Sequence, residues 1–172
     1  TVTLNAVTLN GTLSGKGMVT FNGTTAGEGV ANMTEGLVTY GETAANVFGG
    51  IYNDLTLNGE KTLTVAEVTV NGALTLDSNL NGTADNTLNM NGTLAMEDGI
   101  EIAHLGLVTY GALFDGVGLN GSYNNLTVDG TVTLNAVTLN GTLSGKGTVN
   151  FAGTTAGDGV ADMSEGSTVT YN

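Results

Sequence analysis

The sequence predicts an all-β protein, a parallel β-helix (β-solenoid) of roughly eight rungs of about twenty residues, ~40 Å long at ~4.8 Å per rung. Three observations carry this. Residues 1–36 and 131–166 match at thirty of thirty-six positions, 130 residues apart, so the chain is an array and its fold follows from its repeat. Apolar residues alternate with polar ones in runs of three to five, which is the period of a strand with one buried face. No Pro- or Ser-rich spacer interrupts these runs, as separate domains would require.

Taken in order, the runs are Val2/Leu4, Val7/Leu9, Val19/Phe21, Val38/Tyr40, Leu55/Leu57, Leu63/Val65, Val68/Val70, Leu74/Leu76, Leu88/Met90, Leu94/Met96, Ile100/Ile102 and Leu126/Val128. The first set then recurs from Val132. Thr usually fills the outward position, and Thr and Val both favour strands. Between runs lie Asn-Gly dipeptides at 10–11, 22–23, 58–59, 71–72, 81–82, 91–92, 120–121 and 140–141. Both residues tolerate positive φ, so each dipeptide is expected to turn the chain sharply. Such turns also suit hairpins, which leaves tandem antiparallel β-sandwich modules as the alternative architecture.

A finer period lies inside the 130-residue spacing. Tyr52 opens YNDLTLNG, Tyr123 opens YNNLTVDG, and 64–72 aligns with 133–141. The unit is about seventy residues, its later part marked by Val-Thr-Tyr at 38–40, 108–110 and 169–171. One continuous body over 1–172 then comprises a partial repeat (1–51), a full repeat (52–122) and a second partial repeat (123–172). Both ends fall inside a unit, so the chain is expected to be an excerpt of a longer protein.

Composition narrows the function classes. Thr, Gly and Asn fill 77 of 172 positions, while Pro, Cys, Trp and Arg are absent. Sixteen acidic residues face Lys16, Lys61 and Lys146, for a net charge of −13. Lacking a basic stripe, the surface is unsuited to nucleic acid or to anionic membranes. No apolar run approaches the ~20 residues of a membrane helix, which argues against membrane insertion. Cysteine chemistry is excluded outright.

The motif Tyr-Asn-(Asn/Asp)-Leu-Thr-(Leu/Val)-(Asn/Asp)-Gly at 52–59 and 123–130, followed by a Thr-rich strand and a Val-Thr-(Val/Leu)-Asn-Gly strand, resembles the β-strand repeats of large bacterial secreted and surface proteins, among them filamentous-haemagglutinin-like adhesins. The resemblance covers nearly the whole chain. It implies a secreted, non-catalytic, β-helical stalk or fibre, and it transfers no receptor.

Residue by residue, the motifs that carry chemistry read as scaffold. Gly116–Gly121 matches GxGxxG but leads into a strand instead of a helix. Ser14-Gly15-Lys16-Gly17 and its copy at 144–147 lack the Ser/Thr and the helix of a phosphate loop. His104 is the single histidine, too few for a His metal site or a Cys-His pair, and no Ser lies in GxSxG. Acids recur between the copies, Glu28 with Asp158 and Glu35 with Glu165, whereas a glycosidase needs one unique pair. The middle repeat does carry the unmatched Glu97, Asp98, Glu101 and Asp115. In the acidic loops, Glu28, Glu35, Asp158, Asp162 and Glu165 are candidate ligands for Ca²⁺, although the EF-hand spacing is missing. Eight Asn-x-Ser/Thr sequons, at Asn10, Asn22, Asn32, Asn81, Asn91, Asn120, Asn125 and Asn140, follow from composition.

The expected function is therefore a non-enzymatic extracellular repeat segment, a fibre, stalk or adhesin shaft without cofactor. Its partners would be further repeats, copies stacked end to end into filaments, and host or matrix glycans. Two alternatives come from other classes: an ice-binding solenoid using Thr-x-Thr at Thr1/Thr3, Thr62/Thr64, Thr131/Thr133 and Thr168/Thr170, and a polysaccharide-active β-helix enzyme.

Overall fold

The computed structural model describes residues 1–172 and contains strands, turns and no helix. Every strand pairing is parallel. Hairpins therefore play no part, and the chain winds as a three-sided β-solenoid. On face 1, Val2, Val19, Val38, Leu55, Leu74 and Leu94 lie over one another. After an irregular step the file resumes with Gly116, Val132, Val149 and Val169. Face 3 is unbroken: Leu13, Ala31, Gly50, Val68, Leu88, Val108, Leu126, Leu143 and Ala161. Nine members on face 3 mean nine turns, followed by a tenth face-1 strand, Thr168–Tyr171. Along face 3 a turn takes between 17 residues (Leu126 to Leu143) and 20 (Val68 to Leu88), so the chain makes one turn more than the sequence estimate.

Face 2 is the narrow side. Its strands are often two residues long, as at Val7–Thr8, Thr25–Ala26, Lys61–Thr62 and Leu80–Asn81. On turn 3 it shrinks to a single bridge, Asn46 to Thr62. There the side chains substitute for a ladder: Asn46 Nδ2 donates to the Thr25 carbonyl (2.8 Å) and Thr25 Oγ1 accepts from the Asn46 N–H (3.1 Å). The run Leu63/Val65, read from sequence as a strand, is instead a corner, with Leu63 buried and Val65 half exposed.

The interior is one cluster of 36 buried apolar residues from Val19 to Phe151, extended toward the ends by the partly buried Leu4, Val7, Leu13, Met163 and Val169. At ~25 cal/mol per Å² such burial is the main stabilising term, and it accrues only between neighbouring turns. No acidic side chain is buried; the buried polar residues are Thr25, Lys61 and Asn86. Every buried side-chain nitrogen and oxygen has a hydrogen-bond partner.

Two sequence expectations change in an instructive way. Of the eight Asn-Gly dipeptides, only Gly59 and Gly121 take positive φ. Apart from Gly11, which has open space around it, the others need glycine for a different reason, which is that the corner of one turn sits directly on the corner below. A Cβ on Gly92 would stand 2.0 Å from the Gly72 carbonyl oxygen, while the adjoining Asn91 Nδ2 donates to Asn71 Oδ1 at 2.9 Å. The seventy-residue period is also not a whole number of turns. Val68 lies on face 3 and its counterpart Val137 on face 2. The 130-residue copies, by contrast, return to the same faces: Val2 and Val132 on face 1, Leu13 and Leu143 on face 3. The shorter repeat thus advances three and two-thirds turns and the longer one seven, and the repeat boundaries at 51/52 and 122/123 fall inside the strands Gly49–Leu57 and Asn120–Val128.

Candidate functional site

The first two Val-Thr-Tyr tags each begin the same local device. In the first, Tyr40 on face 1 and Tyr52 on face 3 point inward and their hydroxyls meet at 3.0 Å. The Phe48 N–H donates to the Tyr40 oxygen (3.1 Å), and Tyr52 donates to the Phe48 carbonyl (2.6 Å). That leaves the Tyr40 proton to close the chain by donating to Tyr52. In the second, Tyr110 and Tyr123 meet at 2.9 Å, the Leu119 N–H donates to Tyr110 (2.8 Å), and Tyr123 donates to the Leu119 carbonyl. All four tyrosines are fully buried. Burial pushes the Tyr40 hydroxyl up to about 12 and raises Tyr52, Tyr110 and Tyr123 as well, because a phenolate in the core would lose its water. The pairs pin the segment that crosses the interior, and with it the glycine that follows: Gly50 (φ 119°) and Gly121 (φ 112°).

Beside each pinned segment the surface is cut by a notch. On turn 3 three residues separate Asn46 from Gly50, whereas turn 4 uses five between their partners Thr62 and Val68. The surplus at 64–66 overhangs turn 3 from one side, and the corner at 27–29 of turn 2 flanks it from the other. The result is a cavity of about 700 Å³ floored by Gly49 and Gly50 and rimmed by Glu28 and Glu67. Its counterpart, about 470 Å³, has Asn120 at the position of Gly49, Asn135 at that of Ala66, and the corner Glu97-Asp98-Gly99 as overhang. The first opens forward onto face 3 (Ile51, Thr69) and the second backward onto face 1 (Ala95, Val117).

The sequence-nominated residues scatter over this frame. Glu28 and Asp158 occupy the face 2 to face 3 corners of turns 2 and 9, Glu35 and Glu165 the face 3 to face 1 corners, and Asp162 stacks outward over Ser144. Glu35 accepts from Lys16 Nζ at 2.7 Å, an exposed pair worth at most ~1 kcal/mol. No three acidic or histidine side chains come together as a set able to hold a metal ion. His104 is exposed at a bulge and is the one non-glycine residue with positive φ (64°). Gly116–Gly121 runs into the strand Asn120–Val128, as expected.

The threonines align differently from the Thr-x-Thr expectation. Thr3, Thr20, Thr39, Thr56 and Thr75 form one outward file over five turns of face 1. The neighbouring file over the same turns is broken by Met18, Leu37, Asp54 and Ala73, so no two-dimensional lattice forms there. Thr131/Thr133 and Thr168/Thr170 return to face 1, while Thr62/Thr64 lie on face 2 and its corner.

Lys61 is a residue that no sequence pattern singles out. It lies inside the face-2 corner, hydrogen-bonded to the backbone carbonyl of Asn58, with that of Glu42 at 3.5 Å. Burial lowers the affinity of its amine for a proton, while Asp77 and Glu42 oppose that shift. Its role is to tie off corner carbonyls.

Comparison with known proteins defines the chain by its fold alone, as a three-sided parallel β-solenoid. No protein-family model, no curated protein and no solved structure matches it.

Proposed function

We propose that the chain is a non-enzymatic structural segment of a bacterial surface or secreted protein, serving as a fibre, stalk or adhesin shaft. The observation that carries this reading is the single apolar column, which passes through nine turns and across both repeat boundaries without a joint. Such a body resists bending and shear because adjacent turns share ladder hydrogen bonds and core contacts at every level. Its acids all lie outside the core, where they keep a long surface hydrated and discourage lateral sticking. The absence of cysteine suits a chain exported unfolded. Further turns of the same kind, in the same polypeptide or in another copy, are the natural axial partners, joined by strand addition at the end faces.

Immunogold labelling of intact source cells tests the proposal. Label on surface fibres or in the surrounding matrix is the expected result. Label confined to the cell interior would refute it.

A further inference from the structure

The two notches recur with the seventy-residue repeat. They lie on turns 3 and 7, four ladder spacings or ~19 Å apart along the axis, and one corner apart around it. Their recurrence follows from one local arrangement, since Val30 pairs with Gly49 as Glu101 pairs with Asn120. The next residues, Gly50 and Gly121, are equally tight: an added Cβ would stand 2.1 Å from the carbonyl oxygen of Ala31 or of Ile102.

Resting on the shaft reading, we propose that the notches are a pair of binding sites for an amino sugar carried on a glycan. Three features select that chemistry. The walls stand two ladder spacings apart, ~9.6 Å, an opening that fits a ring and is closed to an added strand, because the floor strand Gly49–Leu57 is already paired on both sides. The charge is one-sided: Glu28, Glu97 and Asp98 have neither a hydrogen-bond nor an ion-pair partner, and the chain's single ion pair is elsewhere. An ammonium on the ligand meets those carboxylates in charge-assisted hydrogen bonds. Neutral groups remain for ring hydroxyls, namely Thr64 in the first notch, where Thr69 is already bonded to Glu67 (3.3 Å) and Asn89 (3.2 Å), and in the second the amides of Asn135 and Asn120, the latter already accepting from the Ala136 N–H at 3.2 Å. A lysine or arginine side chain would leave those groups unused. Glycan-bearing surfaces would thus be gripped at regular intervals and on successive sides of the shaft, so that weak sites add by multivalency.

Titration calorimetry of the 172-residue chain with a β-1,4-linked glucosamine hexamer tests this. Two sites per chain are expected, with affinity falling as salt rises and about tenfold weaker for the N-acetylated hexamer. Glu28→Gln with Glu67→Gln removes one site, Glu97→Gln with Asp98→Asn removes the other, and Ala66→Trp blocks the first by bulk alone, each with an unchanged far-UV spectrum. The proposal fails if the hexamer does not bind, if the variants keep both sites, or if the acetylated hexamer binds equally. Equal binding of hexalysine at the same notches would assign them to a basic peptide instead. None of these outcomes touches the shaft reading, which stands or falls on the location of the protein.

Discussion

The tyrosine pairs make the sharpest claim about what holds the interior of the solenoid together. Replacing Tyr110 by Phe removes the acceptor of the Leu119 N–H, and replacing Tyr123 by Phe removes the donor to the Leu119 carbonyl and the acceptor of the Tyr110 proton. Each leaves a fully buried polar group unpaired, a cost of ~1–3 kcal/mol per group. For a chain of this length that lowers Tm by roughly 2–4 °C per kcal/mol. The double variant also deletes the hydroxyl that each single variant orphans. It should therefore cost less than the sum of the singles, by about 1 kcal/mol or more, as expected for groups in one network. Thermal unfolding followed by far-UV circular dichroism, with urea titration for free energies, measures the cycle, and the Tyr40/Tyr52 pair should repeat it around Phe48. Strictly additive singles, or singles costing less than ~0.3 kcal/mol, would show that the hydroxyl chain contributes nothing.

Other consequences follow from the same geometry. Because burial raises all four tyrosines, the folded state holds their protons more tightly than the unfolded chain does. Their contribution is complete below pH 10 and is lost as pH climbs toward about 12, the value for Tyr40, so stability should fall in that window and fall less in the Tyr→Phe variants. Gly92→Ala drives a Cβ to 2.0 Å from the Gly72 oxygen and should cost ~2–3 kcal/mol in urea titrations, whereas Gly11→Ala meets nothing within 4 Å and should be neutral or slightly stabilising. His104→Gly removes a side chain from the left-handed region (φ 64°) and should gain about 1 kcal/mol by the same measurement; a loss would mean that the imidazole contributes a contact of its own.

The sequence carried the strands of faces 1 and 3 plainly, because Val-Thr-Leu at 2–4 or Leu-Thr-Leu at 55–57 alternates over a full three residues. Face 2 was legible only in part, at Val7/Leu9 and Ile100/Ile102. Two residues such as Lys61–Thr62 hold no period, and a lysine is the last residue expected to face a core. That narrow side accounts for the miscounted turns. The Asn-Gly steps were read as φ-driven turns, whereas Gly92 shows that the constraint comes from the neighbouring turn, which a single sequence does not display. The notches share this origin. Nothing in 64–66 marks an overhang until the shorter corner of turn 3 is known to lie beside it. Acids such as Glu28 could be nominated by type, but their unpaired state and their place on a rim follow only from the stacking.

Everything rests on successive turns lying over one another along one axis, and a distance between spin labels tests that directly. The chain has no cysteine, so Thr3→Cys and Thr133→Cys place labels at unique sites, on the outward side of face 1 at turns 1 and 8. Seven ladder spacings separate them, and pulsed electron paramagnetic resonance should return one narrow distribution centred near ~34 Å. A broad distribution, or one centred below ~20 Å, would contradict the stacked solenoid, because seven parallel ladder steps cannot span so short a distance.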